Sequence, residues 1–293
     1  MIKRSFGERA FGVFNIILLI VLALITLYPF LYVVFASISQ PSEFIKHEGL
    51  LLKPTGFSTM AYEKVLFEKP DIWLGYRNTL FYVVAGTIIN MILTITMGYG
   101  LSKKDLKFAK PIMLMVFVTM YFGGGMIPTY LVVKGLGLLD TPWAVMLPTA
   151  ISTFNLIIMK TAFQSVPESV EEAAVIDGAS GMKLLVKILI PLVKPTIAVL
   201  ILYYASAIWN SWFTAAIYIR NNDWYPLQLY LREILIINEQ TDMMQGTDSA
   251  DRQALSAVIK YATIMVSIIP MLFVYPFLQK YFTKGVMVGA VKG

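Results

Sequence analysis

Residues 165–191 read SVPESVEEAAVIDGASGMKLLVKILIP and hold the densest chemistry in a chain of 293 residues. Three carboxylates, Glu168, Glu171 and Glu172, stand together and are followed by Ala173, Ala174, Asp177 and Gly178. The chain has no cysteine and a single histidine, His47, so nothing around these carboxylates resembles a catalytic dyad or a metal-ligand cluster. Docking is the chemistry that fits them. Carboxylates at a helix start are favoured by the helix dipole. Ser165 followed by Glu168 spells a capping box, with Pro167 in the first turn. The two alanines keep one helix face thin, and Gly178 suits the left-handed residue that ends a helix. Ser180 opens a second helix in which Met182, Leu185, Val186 and Leu189 recur at helical spacing before Pro191. The segment is therefore predicted to be a helix, a glycine turn and a helix that project toward a groove on another protein.

The rest of the chain must hold that segment, and its composition is that of a membrane protein. Hydrophobic residues make up 57% and charged residues 14%, against about 25% charged in soluble domains. Six stretches, 10–42, 78–102, 111–133, 141–159, 195–219 and 261–279, contain no Asp, Glu, Lys or Arg. A spanning helix needs roughly 20 mostly apolar residues. The expectation is an all-α integral membrane protein, one membrane domain over 1–293. Its six spans are placed at about 12–36, 78–101, 111–133, 142–163, 195–219 and 258–281, with the projecting segment at 164–192.

Charge sets the orientation. With an even number of spans, the termini, 103–110 and 160–194 share a side that carries fourteen basic and six acidic residues; the other side carries ten and twelve. Basic residues collect on the cytoplasmic side, so both termini are expected there, with 38–76 and 220–255 outside. The net charge of +6 and pI near 9.2 thus reflect membrane sidedness, and no nucleic-acid partner is expected.

Polar and aromatic residues inside the spans are candidates for a solute path, because such groups at membrane depth face the bundle or a water-filled cavity. They are Asn90, Tyr121, Asn155, Tyr203, Tyr204, Trp209, Asn210 and Trp212. Amides and hydroxyls with aromatic faces suit a sugar. For each asparagine the competing role is an interhelical hydrogen bond, and for Trp209 and Trp212 it is an interfacial belt. No Asp, Glu, Lys or Arg lies within the six stretches, which disfavours an ion-coupled carrier, whose relay places ionisable groups at that depth.

The projecting segment also carries a specific resemblance. Glu172-Ala173-Ala174, three residues, Gly178, nine residues, Ile188, one residue and Ile190-Pro191 resemble the EAA motif of ABC importer permeases, with Ile190 in place of the motif's leucine. Asn78-Thr79, the run GGGMIPTY at 123–130, Trp209-Asn210 and the ending QKYF-x-KGVM at 279–287 are similar to the oligosaccharide (carbohydrate-uptake-1) permeases, most of all the LplC/YtcP-like branch. The resemblance spans nearly the whole chain.

It implies a type I ABC importer permease fold, a bacterial inner-membrane location and an oligosaccharide substrate, with glycans carrying uronic acid among the candidates. An ion-coupled secondary transporter is the alternative. It implies that Glu168, Glu171, Glu172, Ala173, Ala174, Asp177 and Gly178 form a coupling helix seated in a cleft of an ATPase subunit. It also implies that the Gly-rich tail, with Gly285 and Gly289, reaches the ATPase subunits; the tail's glycines and small apolar residues themselves suit an extended strand and suit disorder almost as well. The implied partners are a second homologous permease, two ATP-binding cassette subunits, an external substrate-binding protein and membrane lipid. The chain has no GxxxxGK[ST] phosphate loop. It is thus expected to be no enzyme and to hold no cofactor or metal, with ATP and Mg²⁺ on the partner ATPases.

Overall fold

A computed structural model describes residues 6–68, 71–244 and 250–290. Side chains of 237–244, 250–252 and 274–290 lie outside the described part, as do Lys3, Arg4, Gly246, Asp248 and Lys292. Among the described residues the structure is helical and contains no strand. In chain order the α-helices are α1 (Phe6–Ser37), α2 (Pro41–Phe44), α3 (Met60–Leu66), α4 (Asp71–Ser102), α5 (Ala109–Tyr121), α6 (Met126–Gly135), α7 (Pro142–Met146) and α8 (Thr153–Gln164). They continue with α9 (Glu168–Ile176), α10 (Gly181–Leu184), α11 (Ile190–Leu192), α12 (Lys194–Trp209), α13 (Phe213–Tyr218), α14 (Leu227–Met244) and α15 (Ala250–Ala290). A π-helical turn at Leu185–Leu189 joins α10 to α11.

Three of these helices are long and apolar enough to cross a membrane: α1, α4 and the Gln253–Phe273 part of α15. They fall where the first, second and last spans are expected. The segments expected to form the middle three spans are built differently. The third is broken at Phe122–Gly125, and α5 and α6 meet at 117°. The expected fourth is two short helices, α7 and α8, separated by residues 147–152. The fifth stops at Asn210, and α13 follows as a separate turn. Backbone groups freed at such breaks survive at membrane depth only where the protein satisfies them. Here the Tyr204 hydroxyl accepts from Ser152 N (3.1 Å), and Asn210 Nδ2 donates to Ser206 O (2.8 Å).

The residue contacts fall into two compact units, one built on the first 70 residues with Leu231–Pro270, the other on Asp71–Tyr230 with the chain from Met271. In the first unit the apolar window of α1 buries none of its residues, as expected of a helix surrounded by lipid. Its last turns carry the segment that follows. Tyr32, Phe44 and Tyr261 form an edge-to-face triangle with centroids 5.5–6.5 Å apart. Tyr62 Oη donates to Ser37 Oγ (2.8 Å), and burial raises the Tyr62 phenol above its usual range.

In the second unit α4 is the central post, packed on α8 and α12. Close approach depends on small residues. A Cβ on Gly98 would stand 3.0 Å from Met159 Cγ, and one on Gly86 2.9 Å from Ile208 Cδ1. The first turns of α4 tie down the loop before α14. Asn78 Nδ2 donates to Asp223 O (2.7 Å) and Tyr225 O (3.0 Å). Thr79 Oγ1 accepts from Leu227 N (2.8 Å), and Tyr82 Oη donates to Trp224 O (2.7 Å). A second clamp uses Asp140, held at φ +61. Its Oδ1 accepts from Asn221 N (2.8 Å) and Arg220 N (2.9 Å), and these backbone donors hold the carboxyl below the usual carboxylate range.

Candidate functional site

The projecting segment is the first part of the site. α9 ends in a full Schellman motif: Ala179 N donates to Ala174 O (2.9 Å) and Gly178 N to Val175 O (3.0 Å), with Gly178 at φ +76. Ser180 caps α10 by accepting from Lys183 N. The expected capping box is not formed. Ser165 closes the preceding helix α8, its Oγ donating to Ala162 O (2.7 Å), and Pro167 takes the N-cap position of α9. The second helix also continues past Pro191 instead of stopping there. A proline ring clashes with the carbonyl four residues back, and the wider π turn at Leu185–Leu189 makes room for it. The bend comes after Leu192, where the chain turns 85° into α12.

This segment is anchored, not loose. Ala174, Leu184, Leu185, Leu189 and Val193 share a buried cluster with Met91 of α4, Met159 and Phe163 of α8, and Leu200 and Tyr204 of α12. Two ion pairs tie α9 to the basic turn after α4. Glu171 pairs with Lys103, whose ammonium also lies 4.5 Å from the Tyr99 ring centre, and Glu168 pairs with Lys104 at 2.5 Å. The Glu168 hydrogen bond and charge raise Lys104 above the usual lysine range, although the pair is exposed and so contributes little to stability.

The geometry thus divides the seven predicted residues. Glu168 and Glu171 face the chain's own lysines, and Ala174 is core. Glu172, Ala173, Asp177 and Gly178 remain exposed, and among the described residues Glu172 makes no ion pair. Beside them Val175 is 61% exposed, Ile176 85% and Met182 66%. The sequence reading missed this apolar tip, and it missed the ion pairs; the signal for the pairs was a four-lysine turn at 103–110 matched to an acidic helix start.

The second part is a cavity of about 500 Å³ between α4, α8 and α12. Of the expected path residues, Asn90, Asn155, Tyr203 and Tyr204 line it. Thr149, Ser152, Ser206 and Ser211 add hydroxyls, and Phe154 and Tyr203 face each other at 6.3 Å. No Asp, Glu, Lys or Arg lines it. Tyr204 Oη is 2.7 Å from Thr94 Oγ1 as well as bonded to Ser152 N, so this hydroxyl fastens the 147–152 break to α4. In the orientation that satisfies both ends of its amide, Asn90 donates to Gly86 O (2.9 Å) and Ala150 O (3.2 Å). Asn90 is therefore an interhelical strut at the cavity wall. The Asn155 side-chain amide has no hydrogen-bond partner among the described residues, and the residue is buried at the cavity.

The other expected path residues lie elsewhere. Tyr121 is exposed, its ring tilted against Phe117 at 5.3 Å. Trp209 is buried outside the cavity lining, Asn210 caps α12, and Trp212 packs on the cluster around Tyr82 and Met146. The tail is helical through Gly285 and Gly289 to Ala290, in contrast to the extended strand expected there.

Comparison with known proteins agrees with this architecture. The family model described as "Binding-protein-dependent transport system inner membrane component" matches residues 3–288. The polygalacturonan/rhamnogalacturonan transport system permease protein YtcP of Bacillus subtilis is 44% identical, over 94% of this chain and 96% of that protein. Protein LplC of the same organism is 42% identical, over 97% and 96%. A solved chain from a bacterial ABC transporter involved in the import of the acidic polysaccharide alginate superposes with a TM-score of 0.84 and 34% identity, over 96% of this chain and 100% of that one. The chain belongs to the family of binding-protein-dependent transport system inner membrane components and is a multi-pass permease of an ABC transporter.

Proposed function

We propose that this permease imports an acidic oligosaccharide and is driven through the α9–α10 segment by separate ATPase subunits. The observation that carries the substrate reading is the uncharged cavity: amide, four hydroxyl side chains and a facing aromatic pair between α4, α8 and α12. Such a lining donates and accepts hydrogen bonds to sugar hydroxyls and offers flat faces to the CH side of a ring. The relatives named for polygalacturonan/rhamnogalacturonan and for alginate support uronic-acid glycans as the class. In this reading a second homologous permease completes the path, an external binding protein delivers the glycan, and two ATP-binding cassette subunits hold ATP and Mg²⁺. The exposed tip of Glu172, Val175, Ile176, Asp177 and Met182 seats in one of them. Gly285 and Gly289 on α15 approach the ATPases from the same side.

Asn155 tests the cavity. Its amide opens on the cavity and is spare, so a ligand hydroxyl completes it, and one such bond is worth about 0.5–1.5 kcal/mol. Asn155→Leu should raise the apparent KM for oligogalacturonate uptake roughly 3–10-fold with little change in basal ATP hydrolysis. An unchanged KM would remove Asn155 from the path.

Orientation follows from charge: both termini, 103–110 and 164–192 are cytoplasmic. The cysteine-free chain permits a direct test. An impermeant thiol reagent applied outside intact cells should label Glu48→Cys and spare Ser180→Cys; the reverse pattern would invert the topology.

A further inference from the structure

The turn between α4 and α5 forms one wall of a groove of about 1070 Å³ that also takes in the end of α8. Five lysines line it: Lys103, Lys104, Lys107, Lys110 and Lys160, against one carboxylate, Asp105. Lys103 and Lys104 are neutralised by Glu171 and Glu168. Lys107, Lys110 and Lys160 have no ion-pair partner among the described residues. Three uncompensated ammonium groups around one hollow repel one another, and an anion between them relieves that repulsion.

The groove has a second character. Its wall continues onto Pro111, Met113, Leu114 and Phe117 of α5, a helix that buries none of its residues. Leu114 is 63% exposed and Phe117 43%. A cationic hollow opening onto an uncovered apolar helix face matches an amphiphile with an anionic head and a hydrocarbon tail. An acidic glycan would use the cations and leave the apolar wall idle. The proposed sugar cavity, moreover, shares no lining residue with this groove. We propose that the groove binds the phosphate headgroup of an anionic phospholipid, held by Lys107, Lys110 and Lys160, with an acyl chain against Leu114 and Phe117. Because α9 is tied to the same turn through Lys103 and Lys104, the lipid sits beside the segment proposed to couple to ATP. The leaflet follows from the cytoplasmic placement in the functional reading; the binding site itself does not depend on it.

Native mass spectrometry of the full-length chain tests this, with phosphatidylglycerol and phosphatidylcholine of equal chain length, inorganic phosphate and an oligogalacturonate as probes. One phosphatidylglycerol should be retained at least about tenfold in preference to phosphatidylcholine. The triple variant Lys107→Gln, Lys110→Gln, Lys160→Gln should weaken retention on the order of a hundredfold, at roughly fivefold per lysine. The Lys→Arg triple variant should keep it, and Phe117→Ala should lower it several-fold. Phosphate and oligogalacturonate at matched concentration should not displace the lipid. Equal retention of the two lipids, undiminished retention in the Gln variant, or displacement by either soluble anion would overturn the proposal. The headgroup and displacement arms use the unmodified chain, so they decide the matter even where a variant folds poorly. Binding is read without ATP or uptake, so failure here leaves the importer reading standing, and failure of uptake leaves this site standing.

Discussion

Gly178→Val is expected to leave the chain inserted in the membrane and to reduce ATP-driven uptake to background. Gly178 sits at φ +76, and no atom lies within 4 Å of where a Cβ would stand. The penalty is therefore in the backbone and not in a clash. A left-handed residue with a side chain costs about 1–2 kcal/mol, and a β-branched one stands at the upper end. The turn escapes that cost by giving up φ > 0, which breaks the bonds from Gly178 N and Ala179 N to the end of α9. Ile176 and Met182, on either side of the turn, then no longer present one surface. Asparagine tolerates the left-handed region, so Gly178→Asn should retain most of the uptake. Vesicle uptake alongside a membrane-insertion assay checks both variants. A valine variant that transports at the normal rate would show that the turn geometry does not matter to coupling.

Glu172→Lys should separate the permease from its ATPase subunits. Glu168 and Glu171 are occupied by Lys104 and Lys103, so reversing either first disturbs the chain's own pairing. Glu172 is exposed with no ion pair among the described residues, and reversing it leaves those pairs intact. In a docked interface, losing one partner of a charged contact costs roughly 2–5 kcal/mol, or about 30-fold or more in affinity. The variant should insert normally, fail to co-purify with the ATPase subunits and show no substrate-stimulated hydrolysis. Assembly and stimulation at the normal level would remove Glu172 from the contact.

Much of this was legible in the residues. Runs without charge located α1, α4 and the core of α15 because lipid excludes unpaired charge over a whole span. Gly178 was legible because the helix had to stop between two apolar patterns and only glycine enters the required region cheaply. Hydropathy was blind to the breaks at 122–125, 147–152 and 210–212, since a kink changes backbone direction without changing composition. Pro148 and Gly125 mark two of them, but what makes a break tolerable is a distant partner such as the Tyr204 hydroxyl, 52 residues from Ser152. The same blindness hid α14, whose apolar Leu227, Leu229, Leu231 and Ile234 are interrupted by Arg232 and Glu233. Ser165 misled because its hydroxyl and amide are already spent on closing α8.

The cavity was half legible. Asn155 and Tyr204 stood out as polar groups at membrane depth, yet only the packing separates them. Tyr204 is a fastener between α4, α12 and the 147–152 break, while Asn155 is left with a free amide. The hydroxyls that join it, Thr149, Ser152, Ser206 and Ser211, carry too little polarity to stand out in an apolar run. Trp209, Asn210 and Trp212 have the right chemistry but fall where α12 ends, and they serve the α12–α13 break.

Uptake into proteoliposomes separates ATP-driven import from ion-coupled carriage. The permease would be reconstituted with its ATPase subunits and partner permease, with labelled oligogalacturonate and its binding protein outside. The vesicles would carry ATP and Mg²⁺ inside, or instead a proton or sodium gradient. Accumulation should require internal ATP and the binding protein and be indifferent to either gradient. Accumulation driven by a gradient without ATP would contradict ATP-driven import.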